Sequence, residues 1–139
     1  MTDHPVALIT GVSSGIGRAT AALLAANGFR VFGTSRTLEA EPRHPYVLLP
    51  MDVRSESSVQ AAVQDIIGQA GRIDLLVNNA GYSQDGAIEE NSIADLQAQY
   101  DTNVFGVLRM TNAVLPIMRR QRSGRIINVS SLVGQVPPP

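Results

Sequence analysis

The chain contains no cysteine and no lysine; all 11 of its basic residues are arginines. Without cysteine there is no disulfide framework, no thiolate metal site and no cysteine nucleophile. Without lysine, a phosphate-binding P-loop lysine, a Schiff base and a lysine general base are excluded. Long hydrophobic runs are missing as well: no apolar stretch approaches the roughly 20 residues needed to span a bilayer. Met1-Thr2-Asp3-His4 lacks the basic-then-apolar layout of a signal peptide, so a cytoplasmic location is expected. Neither sign of charge is in excess, and a formal net charge of -1 gives no electrostatic reason to expect nucleic acid or a membrane as partner. What is there, 139 residues of which 44% are hydrophobic and 17% charged, fits one globular domain over residues 1–139.

Short apolar runs alternate with helix-length segments along the chain. Val6 to Thr10 reads as a strand closed by glycine, and Arg18 to Asn27 as a helix ending at Gly28. Arg30 to Thr34 and Tyr46 to Met51 read as strands, with a proline-bearing loop over Leu38 to Pro45 between them. Val59, Ala62, Val63, Ile66 and Ile67 fall on one helical stripe that stops near Gly71. Ile73 to Val77 is a fourth strand. Ile93 to Arg122 has a helical pattern, read as two helices with Pro116 kinking or interrupting the second. A last strand runs from Arg125 to Val129. Nearly continuous apolar strands separated by helices predict a parallel sheet covered on both faces: an α/β, Rossmann-type, doubly wound sheet of about five strands.

Three glycines, Gly11, Gly15 and Gly17, stand between the first strand and its helix. A glycine turn there lets helix N-terminal N–H groups approach a diphosphate, and the helix dipole favours negative charge at the same place. Gly11 would allow the tight turn, Gly15 the close approach and Gly17 the packing of helix on sheet, while Ser13 and Ser14 add hydroxyls. The bland alternative is a helix start that simply needs flexible residues. Roughly 20 residues after such glycines, an acidic residue would bind the adenine ribose of NAD; this chain has Ser35-Arg36 instead. A guanidinium at Arg36 suits the 2′-phosphate of NADP, with NAD the less favoured cofactor. The alternative for Arg36 is a solvated surface arginine.

Taken together, these residues carry a family resemblance. Thr10-Gly11-Val12-Ser13-Ser14-Gly15-Ile16-Gly17 resembles the TGxxxGIG cofactor motif of the short-chain dehydrogenases/reductases. Asp52-Val53 resembles the family's adenine-contacting pair, and Asn78-Asn79-Ala80-Gly81 its NNAG motif along the ribose. Asn103 falls where the family places an active-site asparagine. Ile127 to Gly134 resembles the strand and serine that follow, with Ser131 a better match to the catalytic serine than Ser130. The resemblance implies a cofactor site of Gly11, Ser13, Ser14, Gly15, Ile16, Gly17, Arg36, Asp52, Val53, Asn79, Ala80 and Gly81, catalytic roles for Ser131 and Asn103, and no metal.

It also implies hydride transfer between a nicotinamide and an alcohol or carbonyl carbon of a small molecule. In the family a Tyr-xxx-Lys pair moves the proton; a phenol with a reference pKa of about 10 needs nearby positive charge to act near neutrality. Tyr46, Tyr82 and Tyr100 all precede Ser131, and no lysine follows any of them. The family's tyrosine lies beyond Pro139 in this numbering, so the 139 residues alone are expected not to catalyse the reaction. Without the family's later strands and helix, the Arg125 to Val129 strand becomes an apolar sheet edge. Self-association or pairing with a C-terminal half is then expected. The alternative function is a non-catalytic nucleotide-binding or assembly module.

Overall fold

A computed structural model describes residues 4–38 and 44–131. Five strands, β1 (Val6–Thr10), β2 (Arg30–Ser35), β3 (Val47–Pro50), β4 (Leu75–Asn78) and β5 (Arg125–Asn128), form one sheet. All neighbours are parallel, in the order β3-β2-β1-β4-β5. The helices are α1 (Gly15–Ala26), α2 (Glu56–Ala70), α3 (Ile93–Tyr100) and α4 (Gly106–Gln121). This is the α/β, Rossmann-type parallel sheet with flanking helices that the strand pattern predicts.

Alternation along the strands divides the core in two. Val6 and Leu8 of β1, Phe32 of β2 and Leu76 of β4 face α2 and α4, where Val59, Val63 and Ile66 meet Met110, Val114 and Ile117. Ala7 and Ile9, one residue out of phase, face the other side with Val31 and Val77, against Ala21 and Leu24 of α1. Each such Val, Leu, Ile, Met or Phe side chain contributes about 1.5–3 kcal/mol on burial, as an upper estimate. Both faces of β1 and β4 are therefore apolar, which is why those strands read as unbroken hydrophobic runs.

Local signals set the helix ends. Ser55 caps α2 by accepting the Ser58 N–H at 3.3 Å, and Gly71 ends it in the left-handed region at φ 71°. α1 begins at Gly15, a turn earlier than the Arg18 start that residue preferences favour. The glycines are poor helix formers, yet they sit inside the first turn.

The long helical segment also differs from its sequence reading. Pro116 lies within α4 without ending it, on an exposed position while Ala113, Val114 and Ile117 anchor the buried face. The break comes earlier, in a π-helical turn over Asp101–Phe105, closed by the Gly106 N–H donating to the Asp101 carbonyl. At the far side of the sheet β5 forms an edge. Ile127 is paired in register with the buried Val77, yet is 44% exposed, and Val129 is 41% exposed.

Candidate functional site

Strand order reverses between β1 and β4, since the chain leaves β1 toward β2 and returns on β1's other side as β4. In parallel α/β sheets the crevice beyond the strand C-termini at that reversal is where ligands bind. Here a cleft of about 720 Å³ opens at that place.

Its floor is the turn after β1. Gly11 has φ +72°, and the N–H groups of Gly11 and Val12 donate to the Thr34 carbonyl at 3.0 and 3.1 Å, which ties the turn to the end of β2. The buried Thr10 hydroxyl accepts the N–H groups of Asn79 and Ala80 at 3.0 and 2.9 Å. In return, the Asn79 side chain donates Nδ2 to the carbonyls of Thr10 and Gly11 at 3.2 and 3.0 Å. The glycine turn and the Asn-Asn-Ala-Gly loop are thus locked together by four hydrogen bonds. The lock leaves no room for side chains: a Cβ on Gly11 would stand 2.8 Å from the Ala80 Cα, and one on Gly17 would strike the Gly11 carbonyl oxygen and the Asn79 amide. Around Gly15 the opposite holds, with nothing within 4 Å of a Cβ, so that backbone lies open to the cleft. Ser14 occupies the α1 N-cap but makes no side-chain cap bond.

One wall is the segment after β3. The Asp52 N–H donates to Ser58 Oγ at 2.9 Å, fixing the turn into α2. The Asp52 carboxylate receives the Arg54 fork, Nε to Oδ1 at 3.0 Å and Nη2 to Oδ2 at 2.9 Å. Those bonds hold the Asp52 pKa below the usual carboxylate value; partial burial opposes them, and the Arg54 N–H and the charges of Arg54 and Arg36 add to them.

The opposite wall is built by the π turn. Asn103 pairs its side-chain amide with the backbone of Tyr82, Nδ2 donating to the carbonyl at 2.7 Å and Oδ1 accepting the N–H at 3.0 Å. Arg109 braces the turn through Nη2 on the Asp101 carboxylate at 2.7 Å. Its Nη1 is shared between the carbonyls of Asp101, at 3.3 Å, and Val53, at 3.1 Å. A Cβ on Gly106 would meet Val53 Cγ2 at 2.8 Å, so α4 also packs directly on the wall after β3.

The sequence profile described as short chain dehydrogenase matches residues 5–139. The chain belongs to the short-chain dehydrogenase family. The 3-ketodihydrosphingosine reductase of Bacteroides thetaiotaomicron is 46% identical over 129 residues, which cover 93% of this chain and 48% of that protein. The crystal structure of a short-chain dehydrogenase from Streptomyces avermitilis superposes with a TM-score of 0.88 at 39% identity, over 96% of this chain and 51% of the other. The ligand-free aldohexose dehydrogenase of Thermoplasma acidophilum gives a TM-score of 0.86 at 34% identity, over 94% and 51%. This short-chain dehydrogenase sequence thus spans about half the length of the relatives it matches.

Most residues singled out from the family motifs meet in the one cleft. Gly11, Ser13, Ser14, Gly15 and Ile16 line its floor, Arg36, Asp52 and Val53 one side, and Asn79, Ala80 and Gly81 the other. Gly17 does not line it, being buried beneath the turn. Asn103 stands behind the wall, with Thr102 beside it in the lining. Ser131 is exposed past the end of β5 and is not part of the lining. Motif reading quoted Thr10 but gave its buried hydroxyl no role, and it assigned none to Arg54, Tyr82 or Arg109. Thr10 was legible as the hydroxyl residue that ends β1 directly before Gly11; Arg54 acts on Asp52, two residues away, whereas Tyr82 meets Asn103 and Arg109 meets Val53 across long stretches of sequence. Among the described residues no acidic or histidine cluster could hold a metal, and no helix is long and apolar enough to cross a membrane.

Proposed function

We propose that the cleft binds the adenosine and diphosphate half of NADP(H), and that the chain is the nucleotide-binding portion of an oxidoreductase interconverting an alcohol and a carbonyl. The observation that carries this reading is that eleven of the twelve residues assigned to the cofactor line one cleft at the strand reversal. The site also fits the group chemically. Bare glycine backbone at Gly15, hydroxyls of Ser13 and Ser14 and the N-terminus of α1 suit a diphosphate. Asp52 and Val53 take the adenine side, Asn79, Ala80 and Gly81 the ribose side, and Gly17 keeps helix and turn close enough for the whole. Arg36 supplies a permanent cation for a 2′-phosphate.

When bound, the nicotinamide would supply or accept a hydride. In this reading Ser131 hydrogen-bonds the reacting oxygen, and Asn103 holds the Tyr82 backbone beside the cleft. No tyrosine in these 139 residues is paired with a lysine, so the chain by itself is expected to bind nucleotide without turnover. The named relatives include a ketosphingoid reductase and an aldohexose dehydrogenase, so the substrate is proposed only as a small alcohol or carbonyl compound. Calorimetric titration of NADPH and NADH tests the reading. Tighter binding of NADPH is expected; binding of neither refutes a nucleotide site, and preference for NADH refutes the role of Arg36.

A second reading rests on the surface. The β5 edge exposes Ile127 and Val129, and the α3–α4 side exposes Ile93, Val104, Phe105 and Leu108. An apolar sheet edge and an exposed apolar helix face favour association, so the isolated chain is expected to self-associate.

A further inference from the structure

Asp52 is an awkward neighbour for a phosphate. Its carboxylate lines the same cleft as Arg36 and lies within electrostatic reach of that guanidinium. Left bare, it would cancel much of the field that Arg36 offers to a 2′-phosphate, because one negative charge offsets one positive charge at similar range. Arg54, a residue that none of the motifs assigns, lines the cleft beside it. Its guanidinium is committed to Asp52 through three contacts, Nε to Oδ1 at 3.0 Å, Nε to Oδ2 at 3.3 Å and Nη2 to Oδ2 at 2.9 Å, while its own N–H donates to Oδ1 at 2.9 Å. Among the described residues, the other carboxylate within its reach, Asp101, is occupied by Arg109 at 2.7 Å. Both members of the Asp52–Arg54 pair remain partly exposed, at 32% and 41% of their side chains, so the pair does little for the fold itself.

We propose that Arg54 is a specificity-determining residue for the 2′-phosphorylated nucleotide: its fork neutralises Asp52 in the cleft wall and leaves the Arg36 cation uncompensated for the phosphate. The proposal rests on the NADP reading above. With Arg54 in place, Arg36, Asp52 and Arg54 together carry one net positive charge; without it they carry none. For a phosphate dianion within about a Debye length, losing that charge at water-like screening lowers affinity about five-fold. A nucleotide lacking the 2′-phosphate has nothing there to lose.

The test uses the full chain and a pair of ligands that differ only in that phosphate, 2′,5′-ADP and 5′-AMP, titrated by calorimetry at low salt. Arg54→Gln is expected to weaken 2′,5′-ADP about five-fold and 5′-AMP less than two-fold, with the difference shrinking at 0.5 M salt (roughly a 4 Å screening length). Arg54→Lys, which keeps the charge without the fork, is expected to recover most of the preference. The double substitution Asp52→Asn with Arg54→Gln removes both charges and is also expected to recover it. A preference unchanged in Arg54→Gln, or an equal loss for both ligands, overturns the role of Arg54. A wild-type chain with no preference for 2′,5′-ADP, or an Arg36→Gln variant that keeps one, overturns the NADP reading and this proposal with it.

Discussion

Replacing Gly17 by alanine adds one methyl group where a Cβ would sit closest to its neighbours among the described glycines. The new Cβ would land on the Gly11 carbonyl oxygen and the Asn79 side-chain nitrogen, with the Gly11 carbonyl carbon at 2.9 Å. The obstacle is backbone, and that backbone is held by Thr34 from one side and Asn79 from the other, so it cannot yield as a flexible side-chain tip would. Overpacking of this kind costs about 2–3 kcal/mol. Displacing Asn79 also weakens its bonds to Thr10 and Gly11, at about 1 kcal/mol each. Against this, alanine gains about 1 kcal/mol of helix propensity. The net expectation is a loss of about 2–4 kcal/mol. For a chain of this size, with a urea m-value of about 2 kcal/mol/M, the midpoint then falls by about 1–2 M. Gly68 in α2 is the control, because a Cβ there meets nothing within 4 Å. Gly68→Ala should therefore gain about 0.5–1 kcal/mol. Urea unfolding followed by far-ultraviolet circular dichroism measures both. If Gly17→Ala unfolds within 0.5 kcal/mol of wild type, or Gly68→Ala is equally damaging, the interlocked turn is not what limits this position.

Acid should weaken the fold through Asp74, whose carboxylate accepts the Val6 N–H at 2.8 Å and the Arg72 fork at 2.9 and 2.8 Å. Burial pushes its pKa up, but the bonds from Arg72 and Val6 outweigh that and leave it below the usual value. Its stabilisation is therefore fully present above the unfolded pKa of about 4 and is lost as pH falls through the lower folded pKa. Asp74→Asn should cost about 1–2 kcal/mol near neutrality. It should also flatten the decline of stability below pH 4; an acid slope identical to wild type in urea titrations would rule this out. For the exposed β5 edge, light scattering at micromolar concentration should report species larger than a monomer, and a monodisperse monomer contradicts the expected self-association.

The parallel sheet was legible because both-face burial leaves its mark on composition. β1 falls at Val6–Thr10, as its apolar run predicts, and the order of strand, turn and helix locates the glycine cleft. Less legible were features decided by distant contacts. Glycine's low helix propensity hid the first turn of α1, although Gly17 is there because Gly11 and Asn79 lie against it. The π turn at Asp101–Phe105 has no period of its own to read. It exists because Asn103 reaches Tyr82 while Arg109 pulls Asp101 toward Val53. Pro116 misled for the complementary reason: a helix packed through Ala113, Val114 and Ile117 can tolerate one missing donor on its exposed side. Arg54 escaped notice because compensating a charge requires knowing what stands opposite it.

That π turn also sets the rotational phase between two helices. Each α-helical residue advances the chain by about 100°, so the extra residue in the turn works like one tooth added to a gear. Deleting Val104 or Phe105 would let α3 and α4 fuse into a single regular helix, with α4 still gripping the core through Met110 and Val114. α3 and the turn residues before the deletion would swing by about a quarter of a revolution relative to α4, carrying the Asn103 side chain off the Tyr82 backbone. Length in this segment is therefore constrained in addition to the contacts of Asp101 and Asn103: a single-residue deletion changes which face of the helix meets the cleft.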